Sequence, residues 1–127
     1  MEKTLLSLKN VNVTFKNRHG LLKAIDNLSL SVTTGEILGV VGESGAGKSL
    51  TGSAILGLID PPGELSAGEI WFKSKRIDKN PAPLRGCEIS MIFQDPMASL
   101  NPLKKVGDQL TETILRHIPM SYSDAVD

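Results

Sequence analysis

Apolar and polar residues alternate through the first third of the chain. Leu6 and Leu8, then Val11, Val13 and Phe15, fall at every second position, with a phase shift near Lys9-Asn10. A period of two marks a half-buried strand, and a shift of phase within it marks a bulge. KNRHG is a polar turn, after which Leu28, Leu30 and Val32 resume the alternation, so this region predicts two antiparallel strands. After the turn TTGE, the run Ile37–Val41 is almost continuously apolar, as expected of a parallel strand covered on both faces. Ser49–Leu58 favours a helix with Leu50, Ala54 and Leu58 on one face, stopped by DPPG. GEIWFK predicts a short strand, DKNPAPLRG a loop, and Cys87–Phe93 a second buried strand. QDPMASLNP is broken by its prolines. Val106, Leu110 and Ile114 recur at helical spacing and predict an amphipathic helix over 106–117. Near the end, Ser123-Asp124 is placed to cap one more helix.

The junction between the apolar run and the first helix carries chemistry. Gly42, Glu43, Ser44, Gly45, Ala46, Gly47, Lys48 and Ser49 fit G-x-x-x-x-G-K-[ST] in full. Glycines let the backbone curl so that successive N–H groups face inward as an anion nest. The helix that follows, entered through Lys48, Ser49 and Leu50, aims its positive end at the same point. Lys48 suits the β- and γ-phosphates of a nucleotide, and the Ser49 hydroxyl suits Mg²⁺. Glu43 and Ser44 contribute through their backbone. A surface glycine turn could match the pattern by chance, but the flanking strand and helix patterns are those a phosphate loop requires.

Composition narrows the classes. A chain of 127 residues fits one domain with a real core. Formal net charge is zero, which speaks against a nucleic-acid tail or a polybasic membrane anchor. Cys87 is the only cysteine, so neither a disulfide framework nor a cysteine metal cluster is possible. The N-terminus lacks the long apolar stretch of a signal peptide, and the apolar segment around 53–59 is too short to span a bilayer. There is no internal repeat.

GEILGVVGESGAGKS, SAGEIWF and ISMIFQDPMASLNPLKKVGDQL, behind an N-terminal β region with an aromatic, together resemble the ATP-binding subunit of an ABC transporter. The last stretch is most similar to the subunits of oligopeptide, dipeptide and nickel importers. The resemblance implies an α/β fold, a P-loop NTPase core with an N-terminal antiparallel β subdomain. It places the β subdomain at about 1–35 and 64–80, the core at about 36–60 and 87–94, and the start of a helical subdomain at about 95–127. It implies that Phe15 stacks on adenine, where simple strand packing is the bland alternative. It implies that Gln94 contacts Mg²⁺ or the attacking water, and that Asp95–Pro102 faces transmembrane permease subunits. Further partners implied are a second, identical or sister, ATP-binding subunit and, indirectly, an extracellular solute-binding protein. The implied place is the cytoplasmic face of the inner membrane, and the implied cofactors are ATP and Mg²⁺. Peptide is the modal cargo; nickel and other small solutes stay open.

A complete enzyme of this family also needs an Asp-Glu pair ending an apolar strand, a signature loop and a switch histidine. LSAGE (Leu65–Glu69) imitates the signature but precedes Gln94 and leads into a strand, so it is expected to be a turn. AILGLID (Ala54–Asp60) imitates the acidic strand but continues the phosphate-loop helix into Pro61. His19 and His117 are expected to be ordinary surface histidines. The chain is therefore expected to hold nucleotide without cleaving it, as a truncated product whose hydrolytic half lies past Asp127 in the family's order. Its apolar strands, short of neighbours, are expected to make it marginally stable or sticky. In full-length form the resemblance implies a subunit that couples ATP binding and hydrolysis to uptake of peptides or similar small solutes. The alternatives are a truncated nucleotide-binding fragment without ATPase activity and a small-molecule kinase, the last weakened because no arginine-rich lid is found.

Overall fold

A computed structural model describes residues 3–43, 45 and 47–127. The chain divides into two compact units, Met1–Arg85 and Gly86–Asp127.

The first unit is built on an antiparallel sheet. β1 (Thr4–Asn17) and β2 (Gly20–Thr33) form the expected hairpin around Arg18-His19, and β3 (Gly63–Phe72) and β4 (Lys75–Arg76) extend it in the order β2-β1-β3-β4. Leu8 lies opposite Leu30 on one side and Ile70 on the other, and Val13 opposite Ile25 and Leu65. Leu8, Val11, Val13 and Ile70 are fully buried; each such side chain contributes about 1.5–3 kcal/mol relative to exposure. α1 (Lys48–Leu56) lays Ala54 and Leu50 against Val13 and Ile25. It ends two residues earlier than expected, because Gly57 adopts a left-handed φ of 65° and leaves Leu58 outside.

The predicted bulge is present. Asn10 has φ 50°, and the β1–β2 register shifts between Leu8 and Val11. β3 answers it at Gly68, whose φ is 97° and whose added Cβ would lie 2.5 Å from the Asn10 carbonyl oxygen and Val11 Cα. Two bulged backbones press together here, so LSAGE is not the expected turn but the interior of β3. The alternating pattern of a strand was hidden by a glycine that the close approach demands. GEIWFK is likewise only the second half of a ten-residue strand.

Two expected strands do not form. Ile37–Val41 has no ladder partner among the described residues, and Ile37 and Val41 are 98% and 95% exposed. A parallel strand needs parallel neighbours and cover on both faces, whereas every strand pair described is antiparallel. Cys87–Phe93 fails for the same reason: the Gly86 N–H donates to the Ile89 carbonyl in a turn, and Ile92 is exposed.

Beyond β4 an ionic latch continues the pairing. Asp78 is almost wholly covered; its carboxylate accepts from the Ile70 N–H at 3.1 Å and from Arg76 Nε at 2.9 Å, while Arg76 also pairs with Glu69 at 3.5 Å. Burial alone would raise the Asp78 pKa, but the Arg76 and Ile70 hydrogen bonds outweigh it and hold the carboxyl below its ordinary value.

The second unit contains a 3-10 turn at Pro96–Ser99, α2 (Val106–His117) and α3 (Tyr122–Val126). α2 has the bounds expected, but its covered face is not the expected one: Thr111 is buried while Val106 and Leu110 are exposed. The Thr111 hydroxyl is satisfied by the Gly107 carbonyl at 2.8 Å, so it packs without an orphaned donor. Gln109 pins the preceding turn, accepting from the Asn101 N–H and donating to the Asn101 and Lys104 carbonyls. α3 is capped by Ser121, two residues before the expected Ser123, since the Ser121 hydroxyl accepts the Asp124 N–H.

Gly68→Ala is expected to destabilise the chain by about 2 kcal/mol or more, through positive φ and the clash with Asn10. Urea unfolding checks this, and an unchanged midpoint would refute the paired-bulge account. The Asp78 latch fixes a sign with pH. A carboxyl held below its ordinary value of 3.8 contributes stability that is complete above that value and is lost as pH falls through the lower native pKa. The stability gap between the wild type and Asp78→Asn should therefore close on acidification; a gap independent of pH would show that Asp78 acts only by packing.

Candidate functional site

Two glycines shape the described part of the loop between Val41 and α1. Gly45 and Gly47 have φ of 85° and 87°, in the left-handed region that glycine enters without strain. Gly47 is also a contact point: a Cβ there would lie 3.3 Å from the Ala24 carbonyl oxygen and 3.4 Å from Ile25 Cγ1. β2 thus fixes where α1 begins. The helix is then anchored by Thr51, whose N–H and hydroxyl both donate to the Gly47 carbonyl, at 2.9 and 2.8 Å.

At that start, Gly47 provides no side-chain cap and the first turn contains no acidic residue. The N–H groups of Lys48, Ser49 and Leu50 therefore have no acceptor within the helix, and the positive end of its dipole is uncompensated there. Lys48 and Ser49 are exposed, while the Leu50 side chain packs into the core, so only its amide is available to a ligand. Lys48 Nζ donates to the Gly42 and Glu43 carbonyls, at 2.5 and 2.7 Å. The ammonium is thereby folded back over the loop mouth. The unpartnered amides of Lys48, Ser49 and Leu50, the Lys48 ammonium and the exposed Ser49 side chain belong to the same helix start, and they are donors of the kind that binds a polyphosphate. Ser44 and Ala46, also expected in the site, lie outside the described residues.

Phe15 is half-buried at the end of β1, opposite Gly63. A Cβ at Gly63 would lie 2.5 Å from the Phe15 ring and 2.8 Å from Ile59, so the ring covers that glycine's backbone. Gln94 and Asp95–Pro102 belong to the second unit and are exposed throughout. Within that segment Met97 is 73% exposed.

The imitations resolve as structure. AILGLID is a helix end, and His19 sits in the β1–β2 turn, its N–H donating to Asn17 Oδ1. His117 is not the ordinary surface residue expected: its half-buried ring abuts Gly86, and Nδ1 lies 3.1 Å from Cys87 Sγ. Among the described residues no cluster of three or more His, Cys, Asp or Glu could hold a metal.

One residue near the site carried no sequence signal. Arg85, at the end of an irregular loop, donates from Nε to the Leu56 carbonyl at 2.6 Å and from Nη2 to the Gly57 carbonyl at 2.9 Å. It thus closes the far end of the phosphate-loop helix. Neither periodicity nor motif spacing marks a loop arginine as a helix cap.

Comparison with known proteins finds relatives over most of the chain. The family model described as ABC transporter matches residues 25–126. The dipeptide transport ATP-binding protein DppD of Bacillus subtilis is 46% identical over 130 residues, which cover 98% of this chain and 38% of that protein. The oligopeptide transport ATP-binding protein OppD of Bacillus subtilis is 46% identical over 126 residues, covering 95% and 35%. The chain thus spans well under half the length of these curated relatives. Among solved structures, the ATP-binding cassette MJ0796, a dimer in a post-hydrolysis state bound to ADP and Pi, superposes with a TM-score of 0.82 at 23% identity. That match covers 96% of this chain and 53% of the other, and it shows the fold.

Proposed function

The chain belongs to the ABC transporter family, and from that premise we propose that it is the nucleotide-holding part of the ATP-binding subunit of a peptide importer. The observation that carries this is the uncapped start of α1, with Gly45 and Gly47 in the left-handed region and Lys48 drawn across the loop. The N–H groups of Gly45 and of Gly47–Leu50 would hold the phosphates of ATP, Lys48 would transfer its hydrogen bonds from the loop carbonyls to the β- and γ-phosphates, and the Ser49 hydroxyl would meet Mg²⁺. Bound Mg²⁺ supplies charge neutralisation at the phosphates. Gln94, the proposed contact to Mg²⁺ or the attacking water, enters from the sequence alone. Phe15 is proposed to present the outer face of its half-covered ring to adenine.

Peptide is favoured as cargo by the two transport relatives, both named for peptide substrates. No helix of the described residues is long and apolar enough to cross a membrane, which is consistent with peripheral attachment at the inner face through permease subunits. Asp95–Pro102 is the proposed contact, with Met97 presented to the partner. A second ATP-binding subunit would complete the dimer. The role proposed for these residues is to bind the nucleotide.

Calorimetry with Mg-ATP tests the proposal. The wild-type chain should bind, and Lys48→Ala should weaken binding about tenfold or more, the loss expected for a charge-assisted hydrogen bond. Equal affinity in the two proteins would remove Lys48 from the site and the phosphate-loop assignment with it.

A further inference from the structure

We propose that Arg85 is a positioning residue for nucleotide binding, acting from the opposite end of α1; the proposal rests on the phosphate-loop reading above. α1 has nine residues and is about 13 Å long, a length at which a helix does not persist on its own. Its buried side chains, Ala54 and Leu56, both lie in its last turn. Its N-terminal turn must keep its amides free for the ligand, so that end cannot be secured by a capping side chain. Gly47 and Leu50 seat the first turn against β2 and the core, and the direction of the short helix from that seat is set by how firmly its C-terminal end is held.

That end is closed by backbone and side-chain hydrogen bonds. Gly57, in the left-handed conformation, donates its N–H to the Ala54 carbonyl at 3.2 Å, and the Leu58 N–H donates to the Ser53 carbonyl at 2.8 Å. This is the paired hydrogen bonding of a Schellman motif. Arg85 then takes the Leu56 and Gly57 carbonyls, which the motif leaves over. The loop that delivers Arg85 is packed tightly on Gly57, where an added Cβ would lie 2.5 Å from Pro81 Cγ. The guanidinium also places positive charge at the negative pole of the helix, the arrangement that favours a formed helix. Losing it should let the last turn fray, tilt the short helix on the sheet and misalign the amides of Lys48, Ser49 and Leu50.

The test measures Mg-ATP affinity and amide hydrogen exchange in the wild type, Arg85→Gln, Arg85→Lys and Gly68→Ala, each well below its melting temperature. Gly68→Ala lowers stability through the sheet without touching α1 and so controls for stability alone. Arg85→Gln should bind about three- to tenfold more weakly. It should also lose protection across α1 in the absence of nucleotide. Arg85→Lys keeps the charge but cannot span both carbonyls, and should fall between. If Arg85→Gln does not fold, the lysine variant alone carries the comparison. Wild-type affinity in both Arg85 variants, or an equal loss in Gly68→Ala, would overturn the proposal. A wild-type chain that fails to bind Mg-ATP, or a Lys48→Ala variant that binds as well as wild type, would instead sink the phosphate-loop reading on which it stands.

Discussion

The first turn of α1 has to be rigid and hydrogen-bond-poor at once. A phosphate site made of backbone amides works only if those amides have no partner of their own, yet an uncapped helix start is the least stable part of a helix. The surrounding structure supplies rigidity from elsewhere. Gly47 is seated against Ala24 and Ile25, so β2 sets the origin of the helix. Thr51 returns two hydrogen bonds to the Gly47 carbonyl from within the first turn. Gly57 and Arg85 close the other end. Lys48 meanwhile lies on the Gly42 and Glu43 carbonyls, in bonds that a phosphate would exchange for stronger ones.

The sheet is the platform for this arrangement, and its own regularity is broken at a matched pair of points. Asn10 in β1 and Gly68 in β3 both take positive φ where the strands press together. Asn27 in β2 does the same, its N–H donating to Asn12 Oδ1 at 2.6 Å. Bulges increase local twist, and the phase change at Asn27 allows both Ile25 and Leu28 to face inward. Ile25 is the residue that meets Gly47 on one side and Val13 and Ala54 on the other. Ile25, beside the bulge in β2, therefore connects the core to the end of the phosphate loop, where α1 begins.

Much of this was legible in the sequence, but unevenly. The hairpin, its bulge, α2 and the loop motif all rest on local signals: alternation, helical spacing, and glycines with a lysine at fixed offsets. Ile37–Val41 and Cys87–Phe93 were misread because continuous apolarity records what a segment needs around it, not whether the described residues provide it. LSAGE was misread because Gly68 looks like a turn residue when considered alone; only the opposing Asn10 backbone explains it. The face of α2 went wrong because spacing alone does not show that Thr111, its hydroxyl satisfied through Gly107, is buried while Leu110 is exposed. Arg85 was invisible because its role depends on contacts 28 and 29 residues away.

The central claim is that free backbone amides at the start of α1 receive the phosphates. The most direct measurement is a two-dimensional amide NMR titration of the wild-type chain with Mg-ATP. The account predicts that the largest shifts fall on Gly45, Gly47, Lys48, Ser49 and Leu50, while the β3 amides of Ile70 and Trp71 stay in place. Shifts centred on the outer face of the sheet around Lys9 and Trp71, with the loop amides unmoved, would contradict it.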